Sequence, residues 1–118
     1  MQLRISTRIL NDDILVVDCI GRIVFGEESG VLRDTVKKLL VHHKNMVLNL
    51  AGITYIDSGG LGILVGLLVS ARNRGGELKL VSPRKRVKDL LRRTNLDTIF
   101  GVYENNDEAV AAFRKQVA

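Results

Sequence analysis

The chain has 118 residues, of which 46% are hydrophobic and 26% charged, and its formal net charge is +5. This length and composition are typical of one soluble globular domain, and the single cysteine, Cys19, excludes an internal disulfide and a cysteine-based zinc site. No stretch reaches the roughly 20 apolar residues of a membrane span and no signal-peptide pattern opens the chain, so we expect one cytoplasmic domain over residues 1–118, without membrane insertion.

The first predicted elements are two strands. Apolar and polar residues alternate over residues 3–9, which is the pattern of a half-buried strand. Asn11-Asp12-Asp13 favours a tight turn, and the apolar run 14–20 predicts a second strand that pairs with the first as a hairpin. Because this run is almost continuously apolar, we expect both of its faces, and the thiol of Cys19, to be buried.

A helix is predicted from Gly26 onward. Apolar residues recur at helical spacing, with the acids near its start and the lysines nearer its end, as the helix dipole favours. The apolar positions are Leu32, Val36, Leu39 and Leu40. His42 and His43 end the segment, and adjacent histidines point in different directions on a helix, so we expect a solvated helix end there and no metal site.

The centre of the chain predicts a strand–helix–strand unit. Residues 46–50 predict an inner strand, residues 58–74 a helix that stops at Gly75-Gly76, and residues 77–80 a further strand. Short connections between these elements imply a parallel crossover. The fold class is therefore α/β.

The last third of the chain predicts a short helix, a strand and a terminal helix. Ser82-Pro83 is a typical helix start, with Ser as N-cap and Pro at the first helical position. Residues 99–103 predict a strand, and Asn106 begins a helix whose apolar face is Val110, Phe113 and Val117. The whole chain is then a mixed sheet of about four or five strands with about four helices.

The excess of positive charge lies in one short segment. Residues 84–93 contain six basic residues against one acid, and the rest of the chain has 12 of each. Nucleic-acid-binding surfaces combine such charge with aromatic side chains, and this segment contains none. We therefore expect the basic segment 84–93 to attract an acidic protein partner rather than nucleic acid.

The most informative stretch joins the inner strand to the central helix at residues 53–62. Ligands and partners of open α/β sheets tend to bind at this end of the strands. Three glycines, at positions 59, 60 and 62, leave the start of the helix without side chains, although each costs about 1 kcal/mol relative to alanine inside a helix. We expect another group to approach this backbone closely.

Known catalytic motifs do not fit this stretch. A dinucleotide fingerprint would need glycine where Val65 stands, and a hydrolase elbow would need it at Ile56. The Gly-Lys-Ser/Thr of a phosphate-binding loop is absent, and the candidate bases His42 and His43 belong to another helix. We predict no catalytic residue, no metal and no cofactor.

Two residues at the helix start allow more than one interpretation. Taken alone, Ser58 is typical of an N-cap, which would contribute about 1 kcal/mol. Asp57 either positions the Ser58 hydroxyl or contacts a partner, or else it is a solvated acid that assists the cap.

Asp57-Ser58-Gly59-Gly60-Leu61-Gly62 resembles the Asp-Ser-x-Gly-Leu-Gly signature of STAS domains, the family of bacterial anti-sigma factor antagonists and their relatives. The likeness covers essentially the full chain, although Gly59 stands where the family commonly has Ser or Ala. It implies a non-enzymatic protein that binds a serine-kinase anti-sigma factor and thereby releases a sigma factor. Phosphorylation of Ser58 would end this binding, and a serine phosphatase would restore it. The implied partner-binding residues are Asp57, Ser58, Gly59, Gly60 and Leu61.

The sequence is compatible with two other functions. A STAS domain can instead regulate a membrane transporter or a lipid-trafficking complex without phosphorylation. The basic segment 84–93 can also be read as a nucleic-acid-binding element, in which case affinity would fall steeply with salt concentration.

Overall fold

The computed structural model describes residues 3–10 and 14–117, apart from the side chains of Glu28 and residues 115–117. Its elements follow one another as β1 (Arg4–Leu10), β2 (Ile14–Ile23), α1 (Glu27–Leu40), β3 (Asn45–Ile56), α2 (Ser58–Asn73), β4 (Glu77–Val81), α3 (Lys85–Arg93), a 3-10 turn (Leu96–Thr98), β5 (Gly101–Tyr103) and α4 (Asn106–Val117). The predicted α/β fold, with five strands and four α-helices in this part of the chain, is confirmed.

The five strands form one sheet in the order β1-β2-β3-β4-β5. β1 is antiparallel to β2, which confirms the predicted hairpin, and the other neighbouring strands run parallel. The predicted turn at residues 11–13 lies outside the described residues. β3 and β4 are the parallel pair expected on either side of α2, and they bring the carboxyl ends of the inner strands to one edge of the sheet.

The side chains of the inner strands point alternately into two apolar clusters. The larger cluster packs α1, α2 and α3 against one face of the sheet, and the smaller one packs α4 against the other face. This two-sided cover explains why β2 is apolar almost throughout. Cys19 lies in the larger cluster, where burial raises the pKa of its thiol to about 12, so the thiol stays neutral and behaves as an apolar side chain. The side chain of Val117, predicted for the apolar face of α4, lies outside the described residues.

β3 is longer than the sequence pattern predicts. The predicted strand ended at Leu50, whereas the observed strand continues to Ile56 and stays paired with β2 through two register shifts. A side chain at Gly52 would come within 2.8 Å of the Cys19 carbonyl oxygen, so this glycine lets the two strands run close together. The extension carries Tyr55 and Ile56 to the start of α2.

The start of α3 corrects a second prediction. The helix begins at Lys85, and Ser82 is not its N-cap. Ser82 has a left-handed backbone conformation, with φ of 56°, and its hydroxyl donates a hydrogen bond of 2.8 Å to the Glu104 carbonyl oxygen. Ser82 therefore joins the ends of β4 and β5, and this contact is between residues distant in sequence. The last strand is also shorter than predicted, because it begins at Gly101 and not at residue 99.

Lys79 is more deeply buried than the sequence predicts, because the alternation of polar and apolar residues in β4 suggests a solvent-facing lysine. Its side chain is only 4% exposed, because α4 covers that face of the sheet. The Lys79 ammonium lies 5.5 Å from the ring centre of Tyr103 and 4.8 Å from that of Phe113, so aromatic faces replace part of its hydration.

Candidate functional site

Ser58 is the first residue of α2, directly after the carboxyl end of β3. Its side chain is exposed. Among the residues that the structure describes, no group forms a hydrogen bond with its hydroxyl. The hydroxyl is therefore open to an approaching molecule.

Asp57, and not Ser58, caps the N-terminus of α2. Its Oδ1 accepts a hydrogen bond of 2.7 Å from the Gly60 N–H, and its carbonyl oxygen accepts one of 2.9 Å from the Leu61 N–H. The interpretation of Ser58 as the N-cap is thus wrong, because Ser58 is already inside the helix. The suggestion that Asp57 positions the Ser58 hydroxyl finds no corresponding hydrogen bond among the described residues.

Asp57 also fixes the connection between β2 and α1. Its two carboxylate oxygens accept hydrogen bonds from the Phe25 N–H, at 3.1 and 3.2 Å. Its own N–H donates a bond of 3.3 Å to the Ile23 carbonyl oxygen. One residue therefore links the β2–α1 connection to the start of α2, and it holds Phe25, whose side chain is 81% exposed, beside this helix end.

The glycines at the helix start are explained by this link. A Cβ at Gly60 would collide with the Ile23 carbonyl oxygen, and one at Gly59 would lie 2.5 Å from Cβ of Phe25. Gly62, in contrast, has no heavy atom within 4 Å of its Cβ position. The close approach expected from the sequence is therefore made at Gly59 and Gly60 by the chain itself.

A largely apolar groove, here called the α1–α2 groove, begins beside Phe25. It has a volume of about 620 Å³, and Arg33 and Lys37 of α1 line it. Its other lining residues are mostly small or apolar and include Phe25, Gly59, Gly62, Ile63 and Gly66. Such a groove is suited to an apolar segment of another molecule.

Ser58 itself lines a second cavity, here called the Ser58 groove, of about 380 Å³. One wall comes from the end of β3 and the start of α2, with Tyr55, Asp57 and Ser58. The other wall comes from α3, with Arg86 and Arg93. The structure thus places the basic segment 84–93 next to Ser58, a proximity that the sequence did not predict.

The predicted partner-binding residues differ in their exposure. Ser58 is exposed, Asp57 and Gly59 are half-buried, and Gly60 and Leu61 are buried. Leu61 is 8% exposed and belongs to the larger apolar cluster. Gly60 and Leu61 therefore shape the helix start from within and offer little surface to a partner.

Sequence reasoning missed Phe25, Arg86 and Arg93 as residues of this region. The spacing of seven residues between the two arginines places them on one face of a helix, which was the available signal. For Phe25 the available signal was an aromatic residue followed by Gly26 at the end of a strand.

The structure also bears on metal sites and membrane spans. Within residues 3–10 and 14–117, no group of three or more His, Cys, Asp or Glu side chains is placed to hold a metal ion. No helix in the same part of the chain is long and apolar enough to cross a bilayer.

The amino-acid sequence is similar to those of known proteins. The STAS domain family matches residues 6–109. A candidate anti-sigma factor antagonist of Thermotoga maritima is 36% identical over 74 residues, which are 63% of this chain and 66% of that protein. The anti-sigma-B factor antagonist of Bacillus subtilis is 30% identical over 82 residues, or 70% of this chain and 75% of that protein.

A solved structure extends the similarity to nearly the whole chain. The crystal structure of a candidate anti-sigma factor antagonist from Thermotoga maritima superposes with a TM-score of 0.86 at 28% identity. The superposition covers 93% of this chain and 94% of that one.

The collision at Gly60 predicts opposite effects for two glycines of α2. Gly60→Ala should lower the free energy of unfolding by about 1–3 kcal/mol, because its Cβ meets the Ile23 backbone. Gly62→Ala should raise it by up to about 1 kcal/mol, since alanine favours the helix and the space is open. Urea denaturation measures both. Equal effects of the two substitutions would contradict the packing described for Gly60.

The capping role of Asp57 predicts a second pair of effects. Asp57→Ala should lower the free energy of unfolding by about 0.5–2 kcal/mol. Asp57→Asn should lower it much less, because asparagine is also a good N-cap. Ser58→Ala serves as the control and should stay within about 0.5 kcal/mol of wild type. Thermal denaturation of the three variants tests this. A loss in Ser58→Ala as large as that in Asp57→Ala would show that Ser58 is the cap.

Proposed function

Because the chain belongs to the STAS domain family, we propose that it is a non-enzymatic anti-sigma factor antagonist controlled by phosphorylation of Ser58. With Ser58 unmodified, it binds an anti-sigma factor that is also a serine kinase, and it loses this binding once Ser58 is phosphorylated. A serine phosphatase restores the active form. The observation that carries the proposal is the exposed Ser58 hydroxyl at the start of α2, within a stretch that resembles the STAS signature.

The division of roles between Asp57 and Ser58 supports a modification at Ser58. The kinase would transfer the γ-phosphoryl group of ATP to Ser58 Oγ, with formation of the Oγ–P bond, loss of the hydroxyl proton and release of ADP. This transfer breaks no hydrogen bond of the described structure at Ser58 Oγ. The helix cap survives as well, because Asp57 and not Ser58 accepts the Gly60 N–H.

Energetics explain why such a modification would act on binding rather than on folding. The phosphate adds about −1.5 to −2 charges. At a helix N-terminus this charge is favourable by about 0.3–1 kcal/mol, so the fold tolerates it. In an interface packed against Ser58, a phosphate dianion that is unpaired, or that faces another negative charge, weakens the free energy of binding by several kcal/mol. A loss of about 2.8 kcal/mol already corresponds to a hundredfold loss of affinity.

The proposed partner surface consists of Ser58, Phe25 and the α1–α2 groove. Aromatic side chains are enriched in protein interfaces, and those buried at the centre of an interface often contribute much of the binding energy. The Phe25 N–H donates hydrogen bonds to Asp57, and the Phe25 side chain lies against Gly59. One docked partner would therefore cover both this ring and the neighbouring Ser58. Arg33 and Lys37 along the groove favour an acidic partner.

The switch predicts opposite behaviour for two variants of Ser58. Ser58→Ala should bind the candidate kinase as wild type does and accept no phosphate. Ser58→Asp should bind at least about tenfold more weakly, a loss of about 1.4 kcal/mol, because it places a charge in the interface. Calorimetry measures binding, and mass spectrometry after incubation with kinase and ATP locates the phosphate.

The matched control for Ser58→Asp is Ala111→Asp, which adds the same charge at an exposed position of α4, on the other side of the sheet. Ala111→Asp should bind as wild type does. A folded Ser58→Asp protein with wild-type affinity would refute the switch.

The proposed surface also predicts a binding defect for Phe25→Ala. Loss of the exposed ring should weaken kinase binding at least about tenfold while changing the unfolding temperature little. Val41→Ala removes an exposed apolar side chain at the opposite end of α1 and is the control, with unchanged affinity expected. Equal affinities of the Phe25 variant and wild type would place the partner elsewhere.

A further inference from the structure

Two arginines, Arg86 and Arg93, line the Ser58 groove together with the proposed phosphorylation site. Arg86 and Arg93 lie seven residues apart, or about two turns, on α3, and both line the cavity that Ser58 lines from the other side. The residues between them in the groove wall, Val87 and Leu90, are apolar. Two positively charged residues therefore belong to the wall of the cavity that Ser58 lines.

The other polar contacts of the basic segment 84–93 occupy different residues. The Arg84 guanidinium donates a hydrogen bond of 2.8 Å to the Ala51 carbonyl oxygen. Lys88 pairs with Glu104 at 3.1 Å, and Arg92 pairs with Asp89 at 3.4 Å. Among the residues that the structure describes, neither Arg86 nor Arg93 has a carboxylate partner. The side chains next to Ser58 thus retain free donors.

Arg86 is also held in place without losing those donors. Its guanidinium carbon lies 5.4 Å from the ring centre of Tyr55, which lines the same groove three residues before Ser58. A cation–π contact with an aromatic face restrains a guanidinium group and uses none of its N–H groups in a hydrogen bond to a carboxylate.

We infer that Arg86 and Arg93 bind the phosphate group of phosphorylated Ser58, an inference that rests on the proposed phosphorylation. A phosphate has three strong acceptor oxygens, and guanidinium groups bind such oxygens bidentately. The N–H groups of Ser58 and Gly59, which form no hydrogen bond with any residue that the structure describes, are further donors at this helix start. Phosphorylation would therefore place a phosphate in the Ser58 groove and neutralise its arginines, which changes the surface offered to a partner in both shape and charge.

The test uses the full chain with phosphoserine inserted at position 58 during translation, so that no kinase is needed. The second pKa of the phosphate is followed by ³¹P nuclear magnetic resonance as the pH is varied. Nearby cations favour the dianion, so the wild-type phosphate should titrate at least about half a pH unit below that of the Arg86→Gln/Arg93→Gln double variant. The corresponding change in proton affinity is about threefold.

Matched variants separate this site from a general effect of charge. Lys85→Gln removes one positive charge from an exposed residue of α3 that lies outside the Ser58 groove, and it should leave the titration unchanged. Each single variant, Arg86→Gln or Arg93→Gln, should give part of the shift and provides the same comparison if the double variant does not fold. Circular dichroism checks folding.

The possible results distinguish this inference from the proposed function. Identical titration of the wild type and the double variant would overturn the arginine site while leaving a kinase-dependent switch intact. Failure of candidate kinases to modify Ser58, together with unchanged binding by Ser58→Asp, would overturn the proposed function. A lowered phosphate pKa that depends on Arg86 and Arg93 supports the arginine site whether or not the proposed switch is upheld.

Discussion

The arrangement around Ser58 depends on the carboxylate of Asp57. This one group accepts N–H donors from two parts of the chain, Gly60 in α2 and Phe25 in the β2–α1 connection. It can do so only because Gly59 and Gly60 leave room for the connection to lie against the helix. The bond from the Gly60 N–H caps the helix without using the hydroxyl of Ser58. A structural carboxylate thus stands next to a hydroxyl that forms no hydrogen bond within the described part of the chain.

The sheet determines where the start of α2 lies. Helices cover both faces of the inner strands, so the loops at the carboxyl ends of these strands are the parts that reach solvent. Because α1, α2 and α3 share one face, the start of α2 lies between two grooves, one toward α1 and one toward α3. Ser58 is therefore flanked by an apolar surface suited to docking and by a basic surface suited to an anion. α4, on the other face, contributes to neither groove.

Much of the fold follows from patterns that short segments carry. The alternation of β1, the apolar spacing of α1 and the glycines after α2 each depend on residues within a few positions, and the structure confirms the elements they predict. Two departures from the predictions involve contacts between distant segments. Ser82 bonds to the Glu104 carbonyl oxygen and does not cap α3, and Lys79 is buried because α4 covers it.

The same distinction applies to the functional site. The sequence by itself determined the α/β class, the position of Ser58 at a strand-to-helix junction and the resemblance of its surroundings to the STAS signature, because these are properties of neighbouring residues. Only the tertiary structure decided that the Asp57 carboxylate also binds the Phe25 N–H and that Arg86 lines the same groove as Ser58. The physical reason is that hydrogen bonds and grooves join residues such as Phe25 and Asp57, 32 positions apart, whose proximity no local pattern encodes.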